Sequence, residues 1–322
     1  MNRGTSPRGN ELLSLIQHGF PIESRPFLSL AERTGRSEAD IIAEVKSLIR
    51  EQTIREFGPV FAPRRLGYLT TLIAARIEAD RAAELSAAML PIVEITHNYY
   101  REGEFNLWFT IIARDRSLMD STIRWVEKFP GVSKVLDLPV EKTFKISAVF
   151  GADTPPEPFT PADENPFLPD DEDRRIIRTL QNGLPIVQRP FLALAEELNM
   201  DEIRLIDRVN AWLREGIIQR FGARVNHRRM GYTHNVLAAW QGDAVDEWGA
   251  KFAAVPQVSH CYARKSYPEW PYRLYTMIHT HTGEEMEEAL DAIQRIAAGS
   301  RFVKMQTLYE LKKTSMKYFL ES

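Results

Sequence analysis

Cysteine is nearly absent from this chain, and long apolar runs are missing altogether. Cys261 is the one cysteine, so the sequence excludes an internal disulfide and a cysteine cluster for zinc or iron–sulfur. No stretch reaches the roughly 18–20 apolar residues that a membrane span needs. The first residues, MNRGTSPRGNE, also lack the apolar core of a secretory signal. We therefore expect a cytoplasmic protein without a membrane partner.

An excess of positive charge is missing too. The 322 residues carry a formal net charge of -3, whereas a nucleic-acid-binding domain usually has a clustered basic surface. Glycine-rich phosphate loops, the HExxH zinc motif and nucleophile elbows are also absent. The chain therefore lacks the short motifs of several common enzyme classes.

What the sequence does contain is a duplication. Residues 17–27, QHGFPIESRPF, match residues 181–191, QNGLPIVQRPF, at seven of eleven positions. The same offset of 164 aligns Phe57-Gly58 with Phe221-Gly222, and RRxGY at 64–68 with RRxGY at 228–232. A duplicated unit tends to form an internal pseudo-dimer, in which an interface site has two similar but unequal faces.

Residues 151–172 separate the two copies. This stretch has six prolines, many acidic residues and almost no periodic apolar residues, which is typical of an extended linker. Each copy has a helical part followed by an alternating part. The predicted units are 11–66 and 67–150 in the first copy, and 173–230 and 231–322 in the second.

Apolar spacing and helix-breaking residues predict the secondary structure of each unit. Three helices open each copy, and Ser37 is the expected N-cap of the third helix in the first copy. The alternating part then has the order βαββαβ, as in a ferredoxin-like sheet with helices on one face. The predicted strands lie near 68–77, 93–101, 105–113 and 132–146, and near 232–240, 257–265, 272–281 and 301–310.

A three-helix unit followed by βαββαβ resembles the Lrp/AsnC group. The resemblance implies an α+β fold of two tandem copies, each a winged helix-turn-helix unit plus a ferredoxin-like βαββαβ domain, packed as an internal pseudo-dimer. In that group the third helix enters the major groove of DNA. Here the first turns of the candidate recognition helices carry acids, which would repel phosphate. We therefore expect these helices to be scaffold, without DNA binding. The acids are Glu38, Asp40, Asp201 and Glu202.

Two pairs of segments set this chain apart from such regulators. FGPVFAPRRLGY (57–68) matches FGARVNHRRMGY (221–232), and THNYYREGEFNLWFTII (96–112) matches SHCYARKSYPEWPYRLYTMIH (259–279). Together they resemble the siroheme decarboxylases, over both halves apart from the linker and the tails. The resemblance implies an iron tetrapyrrole substrate, siroheme, which loses two acetate carboxyl groups as carbon dioxide to give 12,18-didecarboxysiroheme.

The resemblance also implies how the halves relate to one another. Two related subunits form a heterodimer in the family, and here both lie in one polypeptide, like the fused form associated with heme d1 synthesis. No cofactor and no resident metal are expected, because the iron enters only with the substrate. A further homo-oligomer stays open, as does the choice between heme d1 and heme b as the end product.

The carboxylates of such a substrate need cationic partners. Guanidinium groups present two parallel donors that match a carboxylate. An isolated Arg pair usually belongs to a surface salt bridge, but its duplication beside Gly-Tyr favours substrate binding. The predicted binding residues are Arg64, Arg65, Arg228 and Arg229, together with Arg101, Arg264 and Lys265.

Histidines are the predicted proton donors, because imidazole titrates near neutral pH. His97 and His260 occupy the same place in a T/S-H-x-Y-x-R pattern, whereas His227 has no counterpart because the first copy has Pro63 there. All three are predicted to be catalytic, and the site that contains His227 is predicted to be the competent one. Two alternatives stay open: one histidine could bind the siroheme iron, and two pockets could each remove one acetate.

Aromatic side chains are the predicted walls for the macrocycle. Those chosen are Tyr99, Tyr262, Trp108 and Trp270, although sheet packing alone also favours aromatics in strands. Strand alternation puts Trp108 and Thr110 on one face, with residues 107, 109 and 111 on the other.

Two other functions stay open. One is a ligand-responsive regulator of the Lrp/AsnC type, and the other is a tetrapyrrole carrier or sensor without turnover. The acidic candidate recognition helices and the Arg, His and Trp enrichment of the sheet segments favour the enzyme over the regulator. Only an assay separates the enzyme from the carrier.

Overall fold

The two copies repeat one order of elements in the computed structural model, which describes residues 7–146 and 166–320. The first copy contains α1 (Pro7–His18), α2 (Pro26–Thr34), α3 (Glu38–Arg50), β1 (Ile54–Phe61), β2 (Leu69–Ile77), α4 (Ala82–Met89), β3 (Ile95–Arg101), β4 (Leu107–Ala113), α5 (Arg116–Glu127) and β5 (Val132–Ile146). The second contains α6 (Asp171–Leu180), α7 (Pro190–Leu198), α8 (Glu202–Arg214), β6 (Ile218–Val225), β7 (His234–Trp240), α9 (Val245–Ala254), β8 (Val258–Arg264), β9 (Leu274–Thr280), α10 (Gly283–Ile296) and β10 (Phe302–Lys313). Residues 151–165 of the predicted linker lie outside the described residues. The predicted strands are confirmed to within a few residues, while β1 and β6 are additional to them.

Local sequence explains where the helices of the helical units begin and end. Pro26 and Pro190 occupy the first turns of α2 and α7, where a missing N–H costs nothing. Gly35 ends α2 in the left-handed conformation, with φ of 63°. Ser37 caps α3 as predicted, because its hydroxyl accepts a hydrogen bond from the Asp40 N–H at 3.1 Å. The apolar faces of both helical units are buried in one shared core.

Two of the acids at the start of the candidate recognition helices face inward. The buried carboxylate of Glu38 pairs with Arg25, and that of Glu202 pairs with Arg189. The interpretation of Glu38 and Glu202 as part of a phosphate-repelling surface is therefore wrong. They tie α3 and α8 to the residues that precede α2 and α7, and a buried carboxylate needs such a partner.

A two-stranded ribbon joins the helical units. β1 pairs with β6 in antiparallel register, with Gly58 directly opposite Gly222, so the duplicated Phe-Gly motifs meet. A Cβ at Gly222, whose φ is 149°, would overlap the carbonyl oxygen of Ile16, so glycine is required for α1 to pack this closely. The ribbon takes one strand from each copy, whereas a hairpin wing would take both strands from one helical unit.

The two βαββαβ domains form a single closed barrel. The strand order is β10-β3-β4-β2-β5-β8-β9-β7, and β7 pairs back with β10. Each half keeps the ferredoxin-like order, but its outer strands pair with the other half, β5 with β8 and β10 with β3. The sequence predicted the strands and missed this closure.

The barrel has an outer face covered by helices and an inner face that lines a lumen. Leu107, Phe109 and Ile111 pack outward into a core with residues of α4 and α5. Trp108 points inward and contacts Trp270 from the other half. The predicted alternation along β4 is therefore confirmed.

The segment after β10 returns to the helical core. Tyr318 is buried there, with its ring centroid 5.0 Å from that of Tyr68, and the Phe319 N–H donates to the Tyr68 hydroxyl at 2.8 Å. Tyr68 of the first RRxGY motif is therefore a packing residue. None of the helices within residues 7–146 and 166–320 combines the length and apolar character that crossing a membrane requires.

Candidate active site in the barrel lumen

Each half sends one row of three side chains into the lumen, from β3 and from β8. On β3, Asn98 faces outward to Ser86 of α4, and on β8 the alternate residues pack in the outer core. The intervening histidine, tyrosine and arginine therefore face inward. We call these rows the first ladder and the second ladder. The first ladder is His97, Tyr99 and Arg101, and the second is His260, Tyr262 and Arg264.

The two ladders have nearly the same internal geometry. The His97 and Tyr99 ring centroids are 6.5 Å apart, and the Arg101 guanidinium lies 4.9 Å from the Tyr99 ring. In the second ladder the corresponding distances are 6.0 Å and 4.9 Å. In the barrel order, β3 and β8 are separated by three strands on either side, so the ladders face each other across the lumen.

The ladder arginines are buried cations without a carboxylate partner among the described residues. Arg101 is 2% exposed and donates to Thr307 Oγ1 at 2.6 Å, while Arg264 is 9% exposed and donates to the Leu138 carbonyl at 2.8 Å. The Nε of each has no hydrogen-bond partner. Burial lowers the pKa of Arg101 to about 10, which leaves it charged at neutral pH. A buried charge without a counter-charge is costly, so this lumen suits an anionic ligand.

His227 reaches the lumen from the turn after β6. Its carbonyl accepts hydrogen bonds from the Met230 and Tyr232 N–H groups, and Gly231 holds the turn with φ of 87°. The second HRRxGY motif is thus a tight turn, and glycine tolerates that φ. The His227 side chain is 3% exposed, and its ring centroid is 4.9 Å from that of His279.

An ionic cluster borders His97 and His227. Glu310 on β10 accepts a hydrogen bond from Arg55 of β1 at 3.0 Å, and its other oxygen is 3.6 Å from Lys313 Nζ. We call Arg55, Glu310 and Lys313 the ionic cluster. Burial alone would raise the pKa of Glu310, but Lys313 and Arg55 hold it below its usual value. With two bases and one acid, the ionic cluster is net positive.

The lumen histidines are held in the neutral form. Burial, followed by the charge of Lys313, lowers the pKa of His97 and His227 to about 4. Burial, followed by the nearby His97, lowers the pKa of His260 to about 4. An incoming carboxylate would act in the opposite direction, because a nearby negative charge favours imidazolium. Binding of an anion would therefore favour protonation of the lumen histidines.

His279 on β9 also belongs to this group. It is 8% exposed, and Asn235 and Ser259 occupy its two ring nitrogens at 2.8 and 2.9 Å. Burial, followed by His227 and His260, lowers its pKa well below the usual value. The sequence context of His279 was weaker than that of the predicted histidines, and no pattern indicated Arg55 or Lys313, because only barrel closure and the β1–β6 ribbon bring these residues to the ladders.

The structure separates the other predicted binding residues into two groups. Arg228 is exposed but lies close enough for its charge to lower the pKa of His227. Arg64 donates to the Val140 carbonyl at 3.0 Å, and its charge acts on Arg264. The members of the second group differ in exposure. Arg65 is 9% exposed, Arg229 and Lys265 are exposed, and Lys265 lies 4.9 Å from the Tyr267 ring.

The predicted aromatic walls differ in accessibility. Tyr99 and Tyr262 are half-buried in the lumen. Trp108 and Trp270 are buried, with centroids 5.8 Å apart, and their indole N–H groups donate to the Phe105 carbonyl and the Tyr275 hydroxyl. The two tryptophans therefore form a buried apolar contact beside the ladders, whereas the rings of the two tyrosines are partly accessible to a ligand.

Strand register shows that the surroundings of the two ladders differ. Lys313 pairs with His97 and Glu310 with Tyr99, whereas Ile146 pairs with His260 and Thr143 with Tyr262. The neighbouring strands differ as well. His279 on β9 pairs with Asn235 on β7 in the second half, and at the corresponding positions of the first half Ile112 on β4 pairs with Thr70 on β2. Five polar residues on one side of the lumen therefore have different residues at the corresponding positions of the other half. Arg55 corresponds to Gln219, His227 to Pro63, His279 to Ile112, Glu310 to Thr143 and Lys313 to Ile146.

Comparison with known protein families accounts for nearly all of the described chain. The NirDL-like helix-turn-helix domain of siroheme decarboxylase matches residues 10–55 and 173–218, and the AsnC-like ligand-binding domain matches 65–145 and 229–312. A siroheme decarboxylase from Hydrogenobacter thermophilus is 31% identical over 97% of this chain and 96% of its own length.

Half-length and structural relatives agree with that match. The beta and alpha subunits of siroheme decarboxylase from Oleidesulfovibrio alaskensis are 41% and 35% identical, over 46% and 45% of this chain and 96% and 88% of their own lengths. The crystal structure of the siroheme decarboxylase NirDL in co-complex with an iron-uroporphyrin III analogue superposes with a TM-score of 0.74 and 27% identity, over 97% of this chain and 94% of that one.

Proposed function

This chain belongs to the siroheme decarboxylase family, and from that premise we propose that it removes acetate carboxyl groups from siroheme in its barrel lumen. The observation that carries the proposal is the pair of buried ladder arginines, Arg101 and Arg264, which lack carboxylate partners among the described residues and lie beside His97 and His260. A tetrapyrrole rimmed with acetates and propionates would supply those partners.

The proposed reaction is a non-oxidative loss of carbon dioxide. The bond between the acetate methylene and its carboxylate breaks, carbon dioxide leaves, and the electron pair stays on the methylene carbon next to the pyrrole. A proton from an imidazolium then forms the C–H bond, which turns the acetate into a methyl group. We assign the C12 and C18 acetates as the reacting groups, with 12,18-didecarboxysiroheme as the product for heme d1 or alternative heme synthesis.

The lumen supports a division of roles among its side chains. The ladder arginines, with Arg228 and Arg64 at the edge, hold carboxylates, since guanidinium pairs favourably with them. His97, His227 and His260 serve as proton donors once the bound carboxylates have raised their pKa values. The half-buried Tyr99 and Tyr262 rings lie against the macrocycle. In this proposal the iron enters with the substrate and no other cofactor takes part.

We further propose one competent centre, which contains His227, is flanked by His97 and His260, and is completed by the ionic cluster. What supports this is the one-sided distribution of proton-transfer and cationic groups, since the positions that correspond to His227, Glu310 and Lys313 hold Pro63, Thr143 and Ile146. The competent centre takes its residues from both halves, because His97 and Arg55 belong to the first and His227 and Lys313 to the second.

The arrangement of the halves fits an internal pseudo-dimer. Gly58 lies opposite Gly222 in the ribbon, and two reciprocal strand pairs close the barrel. The names of the half-length relatives, an alpha and a beta subunit, fit the same arrangement. The proposal places the enzyme in the cytoplasm, with the helical units as scaffold.

Anaerobic incubation of the purified protein with siroheme, followed by mass spectrometry of the tetrapyrrole, tests the function. Loss of two carbon dioxide units is the expected result. Loss of one would contradict the assignment of both acetates to this chain. Tight binding without a change in mass would identify a carrier, and the absence of binding would reject the lumen as a tetrapyrrole site.

A further inference from the structure

A chain of hydrogen bonds runs from Arg101 to His279 through the second half of the barrel. The Arg101 Nη1 donates to Thr307 Oγ1 at 2.6 Å, and the Thr307 hydroxyl donates to Asn235 Oδ1 at 2.9 Å. The Asn235 amide nitrogen is 2.8 Å from His279 Nε2. The chain thus connects the first ladder to a histidine on the far side of β10 and β7.

The bonds of this chain have a consistent direction, which begins at the guanidinium. Guanidinium can only donate, so Thr307 accepts from Arg101 and donates its own proton to the Asn235 oxygen. The Asn235 amide is thereby oriented with its NH2 group towards His279. The Nε2 of His279 then accepts a hydrogen bond from this NH2 group. His279 therefore carries its proton on Nδ1 and is neutral.

Beyond His279 the chain reaches the second ladder through a branch point. The His279 Nδ1–H donates to Ser259 Oγ at 2.9 Å. The Ser259 hydroxyl has two acceptors within reach: the Met277 carbonyl at 3.0 Å and Nδ1 of His260 at 2.9 Å. When His260 is protonated on both nitrogens, Ser259 donates to Met277 and accepts from His260. When His260 is neutral with its proton on Nε2, Ser259 donates to His260 instead.

We propose that His279 is a positioning residue, held neutral by Arg101, Thr307 and Asn235, which orients Ser259 so that His260 can change its protonation state without losing its hydrogen bond. The inference rests on the proposed function, in which His260 delivers a proton to the substrate. It assigns different tasks to two neighbouring histidines. His260 carries the proton, and His279 sets the geometry.

The first ladder lacks this device. Thr96 Oγ1 lies 3.0 Å from His97 Nδ1, as Ser259 does from His260. The residue behind it is Ile112, which corresponds to His279. Residue 112 offers no ring nitrogen, so the hydroxyl beside His97 is not held by a second imidazole.

The charged groups around His279 and His260 also oppose a second proton on His279. Arg101 and Lys313 act on His279, together with the rings of His227 and His260. Lys313, Lys145 and Arg264 act on His260, together with His97. The permanently charged groups in this set are cations, and they disfavour a positive charge on His279.

Asn235→Asp is the most direct test, because it changes one atom of the chain and little of its shape. A carboxylate accepts only, so it would require a proton on His279 Nε2, and His279 becomes imidazolium if its Nδ1–H bond to Ser259 is kept. Thr307→Val is the second variant; it breaks the chain one bond earlier and releases the Asn235 amide from its fixed orientation. Thr96→Val, beside His97, is the matched control for losing a hydroxyl near a ladder histidine.

The measurement is NMR of 15N-labelled imidazoles in the full-length protein without tetrapyrrole. We expect His279 to be neutral with its proton on Nδ1 at neutral pH, to carry a proton on Nε2 in Asn235→Asp, and to show a second tautomer in Thr307→Val. Thr96→Val should leave the His279 signals unchanged. A charged or Nε2-protonated His279 in the unaltered protein would overturn the proposal, and so would an unchanged ring in Asn235→Asp.

Turnover provides a second readout that simple loss of stability does not imitate. With siroheme, Asn235→Asp should lower kcat at least about tenfold while KM stays within about twofold, because a misplaced proton donor affects the reacting step more than binding. It should also shift the pH profile of kcat, because the new carboxylate and its pairing with His279 change the distribution of charge around His260. An unshifted profile with the full kcat would overturn the inference. The NMR result does not depend on turnover, so failure of the proposed function is distinguishable from failure of this inference.

Discussion

The two halves of the barrel keep the same ladder and differ in several of the groups around it. Both ladders present histidine, tyrosine and arginine at matching distances. The histidine pair of His227 and His279 and the ionic cluster occur on one side only. In our proposal both ladders therefore bind carboxylates, whereas the groups for proton transfer are concentrated on one side of the lumen. The difference teaches that a duplicated fold can keep matching groups in both copies while the groups around them diverge on one side.

Loss of His227 should break this comparison most strongly. His227→Gln removes an ionisable group and keeps a polar side chain, so we expect turnover to fall about 10²–10⁴-fold, as for a general acid. Binding of iron-uroporphyrin III should change little. Anaerobic turnover by mass spectrometry and a binding titration measure the two effects. Pro63→Ala, at the corresponding turn of the first half, is the control, and an equal loss there would contradict a single competent centre.

Removal of Lys313 should have the next largest effect. Lys313→Met deletes a half-buried cation of the ionic cluster, so we expect affinity for iron-uroporphyrin III to fall about tenfold or more, because a charge-assisted contact is worth roughly 1.5–3 kcal/mol. The pKa values of His97 and His227 should rise, since Lys313 lowers both. Lys304→Met, on the same strand but paired with Glu287 at the surface, is the control. An equal loss of affinity in both variants would show that Lys313 acts only through the overall charge of the protein.

The two arginines of the second RRxGY motif should be unequal. Arg228 acts electrostatically on His227 and Tyr99, so Arg228→Ala should weaken binding of the same tetrapyrrole about two- to fivefold, as suits an exposed charge. Arg229→Ala should leave the dissociation constant unchanged. A larger loss from Arg229→Ala would assign the pair the other way round. Fluorescence-quenching titrations of both variants give the comparison.

Acid should destabilise the folded chain through the lumen histidines. Their folded pKa values, about 4 for His97, His227 and His260, lie below the usual value near 6.5. The folded state therefore binds fewer protons than the unfolded state between these values. The stabilisation is fully present above about pH 6.5 and is lost as the pH falls towards 4. Thermal melts should show this decline, and a variant with Gln at all three positions should have a flatter profile; an identical profile would place the titration elsewhere.

Sequence reasoning predicted most of the fold because the signals were local. Apolar periodicity located the predicted strands, the spacing of Gly and Pro limited the helices, and Ser37 marked a cap. What it missed was long-range. Nothing in residues 132–146 indicates that β5 pairs with β8, or that β1 finds its partner in β6. The buried pairing of Glu38 with Arg25 was missed for the same reason, since composition does not show which way a side chain turns.

The site was predictable where it was duplicated. Comparing the copies identified both ladders and singled out His227 against Pro63. Residues without a repeated pattern, such as Arg55 and Lys313, became visible only through the closed barrel. Trp108 and Trp270 were predicted as walls for the macrocycle. In the structure they pack against each other and present no open face.

The reciprocal pairs β5–β8 and β10–β3 have a consequence for stoichiometry. A half on its own would expose two strand edges, which are templates for pairing with any similar chain. Two identical halves would satisfy those edges as well as two different ones, yet they would combine two His227 turns or none. Joining the unlike halves in one polypeptide gives each a high effective concentration of the other. Every folded molecule then contains one half of each kind, and assembly needs no separate mechanism of partner choice.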